Sequence, residues 1–146
     1  EELLQNARAI GEKTGDRALL RALHFVNEDA RIPEIESAMR HSDLVAFLDG
    51  IRASGNSSFK YLQNVFPSSC PAEQGETLAI YTAERSLSRC PLPAVCRVHG
   101  GGFAGTMQAF VPTSYTETFR RDVDLVMGKG ACMIMHVRSV GAVRVL

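Results

Sequence analysis

Gly100, Gly102 and Gly105 stand in G-x-G-x-x-G spacing within RVHGGGFAGTMQAFVP, residues 97–112. Glycines so spaced can let a backbone cradle phosphate oxygens, provided that a strand precedes them and a helix follows directly to receive the pyrophosphate at its N-terminus. The run that follows here, TMQAFVP, is strand-like and reaches Pro112, so a dinucleotide turn is not expected. The acids at about the right distance, Asp122 and Asp124, fall on what reads as the exposed side of the next helix. A second phosphate pattern, GEKTGD at residues 11–16, offers Lys13-Thr14, but Glu12 stands where a P-loop needs its second glycine. Four glycines in the six residues 100–105 nevertheless exceed what a tight turn requires. The surplus points to a close approach, either by a ligand or by another part of the protein.

Other chemistry is sparse. His99 flanks the glycines and reads as a packed strand-end residue, His24 and His41 fall on helices, and His136 on a last strand. No Ser-His-Asp or Cys-His set is discernible, and Asp122 and Asp124 are two apart on a helix, too close in sequence to share a face. Cys70, Cys90, Cys96 and Cys132 form no C-x-x-C and lack a spaced histidine pair, so no zinc site is expected. Cys96 and Cys132 lie in apolar runs and read as small buried hydrophobes, the thiols of a reduced, cytoplasmic protein. The residues taken alone give a glycine loop and no catalytic machinery.

The elements that must position this loop follow from periodicity. Residues 15–31 carry a helical stripe with Asp16 as N-cap, and RIPEIESAMRH restarts a helix with Pro33 in its tolerated first position. HSDLVAFLDGIRASG reads as a helix capped by Ser42 and stopped by Gly55, and NSSFKYLQNVF as a short one. PAEQGETLAIYTAERSLS makes another, starting near Pro71. The period then changes. AVCRV and MQAFV are short strands on either side of the glycines, and SYTETFRRDVDLVMGKG is a helix opened by a Ser114-x-x-Glu117 capping box. ACMIMHV is expected to be a final buried strand. The fold class is therefore α+β, with a small antiparallel, ferredoxin-like sheet of C-terminal strands covered by the N-terminal helices.

The chain has 146 residues, 45% of them hydrophobic and 22% charged, which suits one globular domain, residues 1–146. Sixteen Lys and Arg balance sixteen Asp and Glu, so no basic footprint for nucleic acid or for a membrane surface is present. No apolar run reaches the roughly 20 residues a span needs. The sequence opens on Glu1-Glu2 inside a helical pattern, which leads us to expect a piece of a longer protein.

The stretch CRVHGGGFAGTMQAFVP resembles the third motif of the GHMP small-molecule kinases, and most closely its galactokinase version, in which a strand runs into Gly-Gly-Gly-Phe-(Gly/Ala)-Gly. RALHFVNED, SGNSSFKYLQN, EQGETLAIYTAE and GKGACMIMHVRSVGA are similar to helical and C-terminal stretches of bacterial galactokinases, so the resemblance covers nearly the whole chain. It implies a two-domain enzyme that transfers phosphate from ATP, with Mg²⁺, to the C1 hydroxyl of galactose, its active site lying in the cleft between the halves.

The family's galactose signature (Gly-Arg-x-Asn-Leu-x-Gly-Glu-His) and its phosphate loop (Pro-x-Gly-x-Gly-x-Ser-Ser-Ser) are absent here. The resemblance therefore implies a C-terminal domain, inactive alone and carrying no catalytic residue or metal ligand. The positions it carries over are Gly100, Gly101, Gly102, Phe103, Ala104, Gly105 and Thr106, one wall of the nucleotide and sugar cleft. Ala104 departs from the glycine that many members have. The implied partner is the N-terminal galactokinase domain of the same protein, and without it an exposed inter-domain face around residues 100–106 is expected to favour self-association. Two other readings remain at this point. One is a galactokinase-like sugar sensor without turnover, and the other is an unrelated α+β ligand-binding module.

Overall fold

The computed structural model describes residues 1–100, 102 and 105–137. Among them are six α-helices and one two-stranded antiparallel sheet, a mixed α+β arrangement. Two short helices, α1 (Glu2–Gln5) and α2 (Ala7–Thr14), lead into the long α3 (Asp16–Arg40), which turns back into α4 (Leu44–Ser57). A single π-turn, Ser58–Leu62, extends α4. After a loop come α5 (Gly75–Leu87), β1 (Val95–Val98), β2 (Met107–Phe110), a 3₁₀ turn (Thr113–Tyr115) and α6 (Thr116–Met127).

The hairpin lies between helices on both faces, and the two-residue alternation of its strands explains why. Cys96, paired with Ala109, and Val98, paired with Met107, point one way. Cys96 joins Ala83 of α5 with Phe119 and Val123 of α6 in the core, and Met107 and Ala109 pack against that cluster. Val95 pairs with Phe110 and Arg97 with Gln108 on the opposite face, which meets α4. There Phe110 meets Phe47 edge-to-face at 5.3 Å, and Arg97 packs over Gly55, where a Cβ would lie 2.7 Å from the Arg97 Cβ. Both the front helices and the C-terminal α6 thus cover the sheet, where the sequence suggested the front helices alone.

Four sequence expectations are corrected here. Pro33 does not start a new helix, because α3 runs unbroken through it. Packing on both sides of the proline outweighs the lost hydrogen bond: His24 meets Ser57 and Glu28 meets Ser54 before it, and Ile35 fills the space over Gly50 after it. Gly55 does not stop α4, since its missing side chain serves the approach of β1 instead. The caps move as well. Gly15 precedes α3 where Asp16 was expected, Asp43 rather than Ser42 caps α4 by accepting from Ala46 N–H at 3.0 Å, and the Ser114–Glu117 box does not form.

The fourth correction concerns residues 131–137, expected as a buried strand. They form no regular structure, and Met133, Ile134, Met135 and Val137 are exposed. The Asp124 carboxylate accepts from the N–H groups of Gly130 (3.1 Å) and Cys132 (2.9 Å), so α6 ties down the start of this run. Those two N–H groups, Cys132 first, hold the Asp124 carboxyl below its usual value. Asp122, also expected on a solvated face, accepts from Ser86 at 2.7 Å and Arg89 at 2.6 Å.

A partly buried polar seam fastens β1 to α3. Arg97 Nη1 donates to Ser54 Oγ at 2.5 Å, Ser54 donates to Glu28, and Glu28 pairs with Arg31. Next to it the His24 ring meets Ser57 Oγ at 2.8 Å. Burial first, then the charges of Arg31 and Arg97, holds the His24 imidazole below its ordinary value of 6.5. The unfolded chain therefore takes up this proton before the folded one does. Stability should be intact above pH 6.5 and fall as the pH drops through and below it. Urea midpoints measured from pH 7.5 to 5.5 check this, and His24→Gln should flatten that slope. In the core, Phe119 is 4% exposed, and Phe119→Ala is expected to cost about 3–5 kcal/mol in the same titration.

Candidate functional site: the floor of the glycine loop

β1 and β2 deliver the glycine loop to the end of the hairpin, where His99 N–H donates to Thr106 O at 3.2 Å and closes the pairing. Of the seven loop residues singled out in the sequence, Gly100, Gly102, Gly105 and Thr106 are described, while Gly101, Phe103 and Ala104 lie outside the described residues. Gly100, Gly105 and Thr106 are exposed and Gly102 is half-buried. Gly100, Gly102 and Gly105 all have positive φ, a conformation that L side chains seldom adopt.

Gly102 has a second reason to be glycine. A Cβ there would lie 2.6 Å from Asn64 Nδ2, and closer still to the Asn64 carbonyl oxygen. The loop thus rests backbone-on-backbone on the segment that leaves the π-turn. Gln63 turns the chain there at φ 55°, which ends the helix and carries Asn64 and Val65 into the interior. Gly105 is held from another side, because its N–H donates to the carboxylate of Glu76 in the first turn of α5.

The floor is polar and incompletely paired. Asn64 is fully buried, and neither Oδ1 nor Nδ2 has a partner among the described residues. Glu76 is 6% exposed, with Oε1 unpartnered. Burial pushes its carboxyl above the usual value, and the Gly105 N–H partly offsets the rise. The remaining orphan is Arg17 Nε, on a side chain whose Nη2 reaches the carbonyl of Gln63, the residue before Asn64, at 3.5 Å. Arg21 Nε donates to the neighbouring Leu62 carbonyl at 3.3 Å. Of the four unpaired buried side-chain polar atoms among the described residues, three belong to Asn64 and Glu76, and the fourth to an arginine that reaches the residue before Asn64. Each such atom costs about 1–3 kcal/mol, so this concentration sets the site apart from the rest of the interior.

Two of the loop's described N–H groups are turned inward rather than toward an anion. Gly102 N–H donates to His99 O at 3.3 Å and Gly105 N–H to Glu76. The glycines here permit close packing and an unusual backbone path. Behind β1, a cavity of about 190 Å³ opens between α4 and α5, with Arg52, Lys60, Glu84 and Arg97 among its lining residues. Cys96 also borders it, but burial pushes that thiol up to about 12, so it remains a protonated, unreactive core group. The sequence pointed to the glycines and read His99 as a packed strand-end residue, whereas it is exposed beside them. It gave no sign of Asn64 or Glu76, which passed as ordinary residues of the helices expected over NSSFKYLQNVF and PAEQGETLAIYTAERSLS.

The described residues contain no group of three or more His, Cys, Asp or Glu arranged to hold a metal, and no helix long and apolar enough to cross a membrane. Set against protein-family models, curated proteins and solved structures, the chain matches none.

The two glycines test the floor against simple backbone strain. At Gly100 a Cβ would meet open space, whereas at Gly102 it collides with Asn64. Gly100→Ala should cost only the left-handed penalty of about 1–2 kcal/mol, and Gly102→Ala clearly more. Chemical denaturation of the two variants side by side checks the order.

Proposed function

We propose that this chain is the C-terminal domain of a galactokinase, a GHMP-type kinase that phosphorylates galactose at its C1 hydroxyl with MgATP. The observation that carries the reading is the run GGGFAGT at residues 100–106, set between two paired strands and seated on the polar floor of Asn64 and Glu76. In this reading the transferred phosphoryl group comes from ATP, and Mg²⁺ neutralises its charge. The residues of this chain supply shape. The glycine backbone forms a thin wall that comes close to whatever lies opposite, while the floor sets its height.

ATP and Mg²⁺ would be held chiefly by the N-terminal half, since the N–H groups of Gly102 and Gly105 are spent internally and Glu76 disfavours an anion close by. Docking that half also gives a use to apolar surface that is otherwise bare. Phe25, Ile32 and Met39 recur every seven residues along α3 and are 61–71% exposed. Spaced so, they line one side of the helix. The same stripe would favour self-association of the chain without its partner domain. Transfer itself needs an acceptor hydroxyl and a base, both outside this chain, so the chain alone is inactive in this reading.

ADP release from the full-length protein, supplied with MgATP and galactose in turn with other hexoses and mevalonate, tests it. Galactose-dependent release is the expected result, with the chain alone giving none. Release driven by mevalonate overturns the sugar assignment. Galactose binding without ADP release turns the reading to a sensor, and neither binding nor release ends it.

A further inference from the structure

We propose that Asn64 and Glu76 are positioning residues for the glycine loop, holding it in the shape its ligand requires at the expense of the fold's own stability. The proposal deepens the reading of residues 100–106 as a cleft wall and rests on it. Three observations bear on it. Asn64 is fully buried with both ends of its carboxamide unpartnered among the described residues, although a carboxamide offers two donors and an acceptor. A residue kept only for packing would do better as an apolar side chain, because orphaned polar atoms destabilise the folded state. Asn64 also sets the closest approach of the loop, since its backbone and side chain occupy the space that any side chain at 102 would need. Glu76 is the counterpart at the loop's other end, where its carboxylate takes the Gly105 N–H while Oε1 stays unpaired.

The two residues come from separate elements, the exit of the π-turn and the start of α5, so they fix the loop at two points. Their chemistry is neutral at one point and acidic at the other. A loop set on such a floor favours a hydroxyl-rich group against its outer face over a bare phosphate oxygen. The loop then lies beside the sugar end of the cleft, with the triphosphate further off.

The test uses the full-length protein, with galactose and MgATP as the probes. Asn64→Ala removes two orphaned atoms and should leave the melting temperature unchanged or raise it by about 2–4 °C. Its kcat/KM for galactose should fall about tenfold or more, because small displacements of a positioning element are costly. Asn64→Leu, which keeps the branched outline, repeats the measurement without leaving a void. Glu76→Ala should speed hydrogen exchange at the Gly105 amide about tenfold, and Glu76→Gln, whose amide oxygen still accepts, should recover most of that loss.

A fall in turnover that merely tracks a fall in melting temperature in both Asn64 variants marks a structural residue and overturns the proposal for Asn64. Unchanged Gly105 exchange in Glu76→Ala overturns it for Glu76. Should KM for MgATP rise while that for galactose holds, the placement beside the sugar is wrong. A wild-type protein that does not phosphorylate galactose ends the kinase reading alone, since melting temperature and Gly105 exchange still decide whether the floor holds the loop.

Discussion

The close approach of Gly102 to Asn64 is the contact on which the loop end of this structure depends. It is a contact between two stretches of backbone, one leaving the helical hairpin of α3 and α4 and the other linking β1 to β2. Such a contact tolerates no Cβ at 102 and fixes the distance between the two layers. From that constraint follow the positive φ at Gly102, the burial of residues 64–65 and the placing of the loop over α5. The left-handed Gln63 belongs to the same device, because the chain must leave its helix abruptly to pass beneath the loop.

The strand pair is held in place from the other end by charge. Arg97 is half-buried between strand and helix, and burial together with Arg31 lowers its affinity for the proton. Its guanidinium meets Glu28 through the hydroxyl of Ser54, a route that needs a small residue at 54 and another at 55. Small residues on α4 thus do two different things. Gly50 and Gly55 admit neighbours, whereas Ser54 and Ser57 carry hydrogen bonds across the interface to α3.

Much of the framework was legible in the sequence, and the failures share a cause. The two strands, the helix of residues 116–127 and the α+β class follow from periodicity, which reports a local balance of faces. The break expected at Pro33 and the stop expected at Gly55 both came from local propensity, and both yielded to packing between α3, α4 and β1. The final strand failed for a different reason. An apolar run shows that a segment could pair but not whether a partner edge is free, and here Asp124 holds the start of the run at Cys132. At the candidate site the glycines announced themselves through excess. Asn64 and Glu76 did not, because a polar residue that will be buried under a distant loop looks in one dimension like one that faces water.

The Asp124 clasp also marks where the cooperative part of the described chain ends. Cys132 is the last of these residues to touch the core, and those from 133 to 137 hang beyond it with their side chains in solvent. The carboxylate works as a mooring, separating residues whose identity is set by folding from residues free to answer to something outside it.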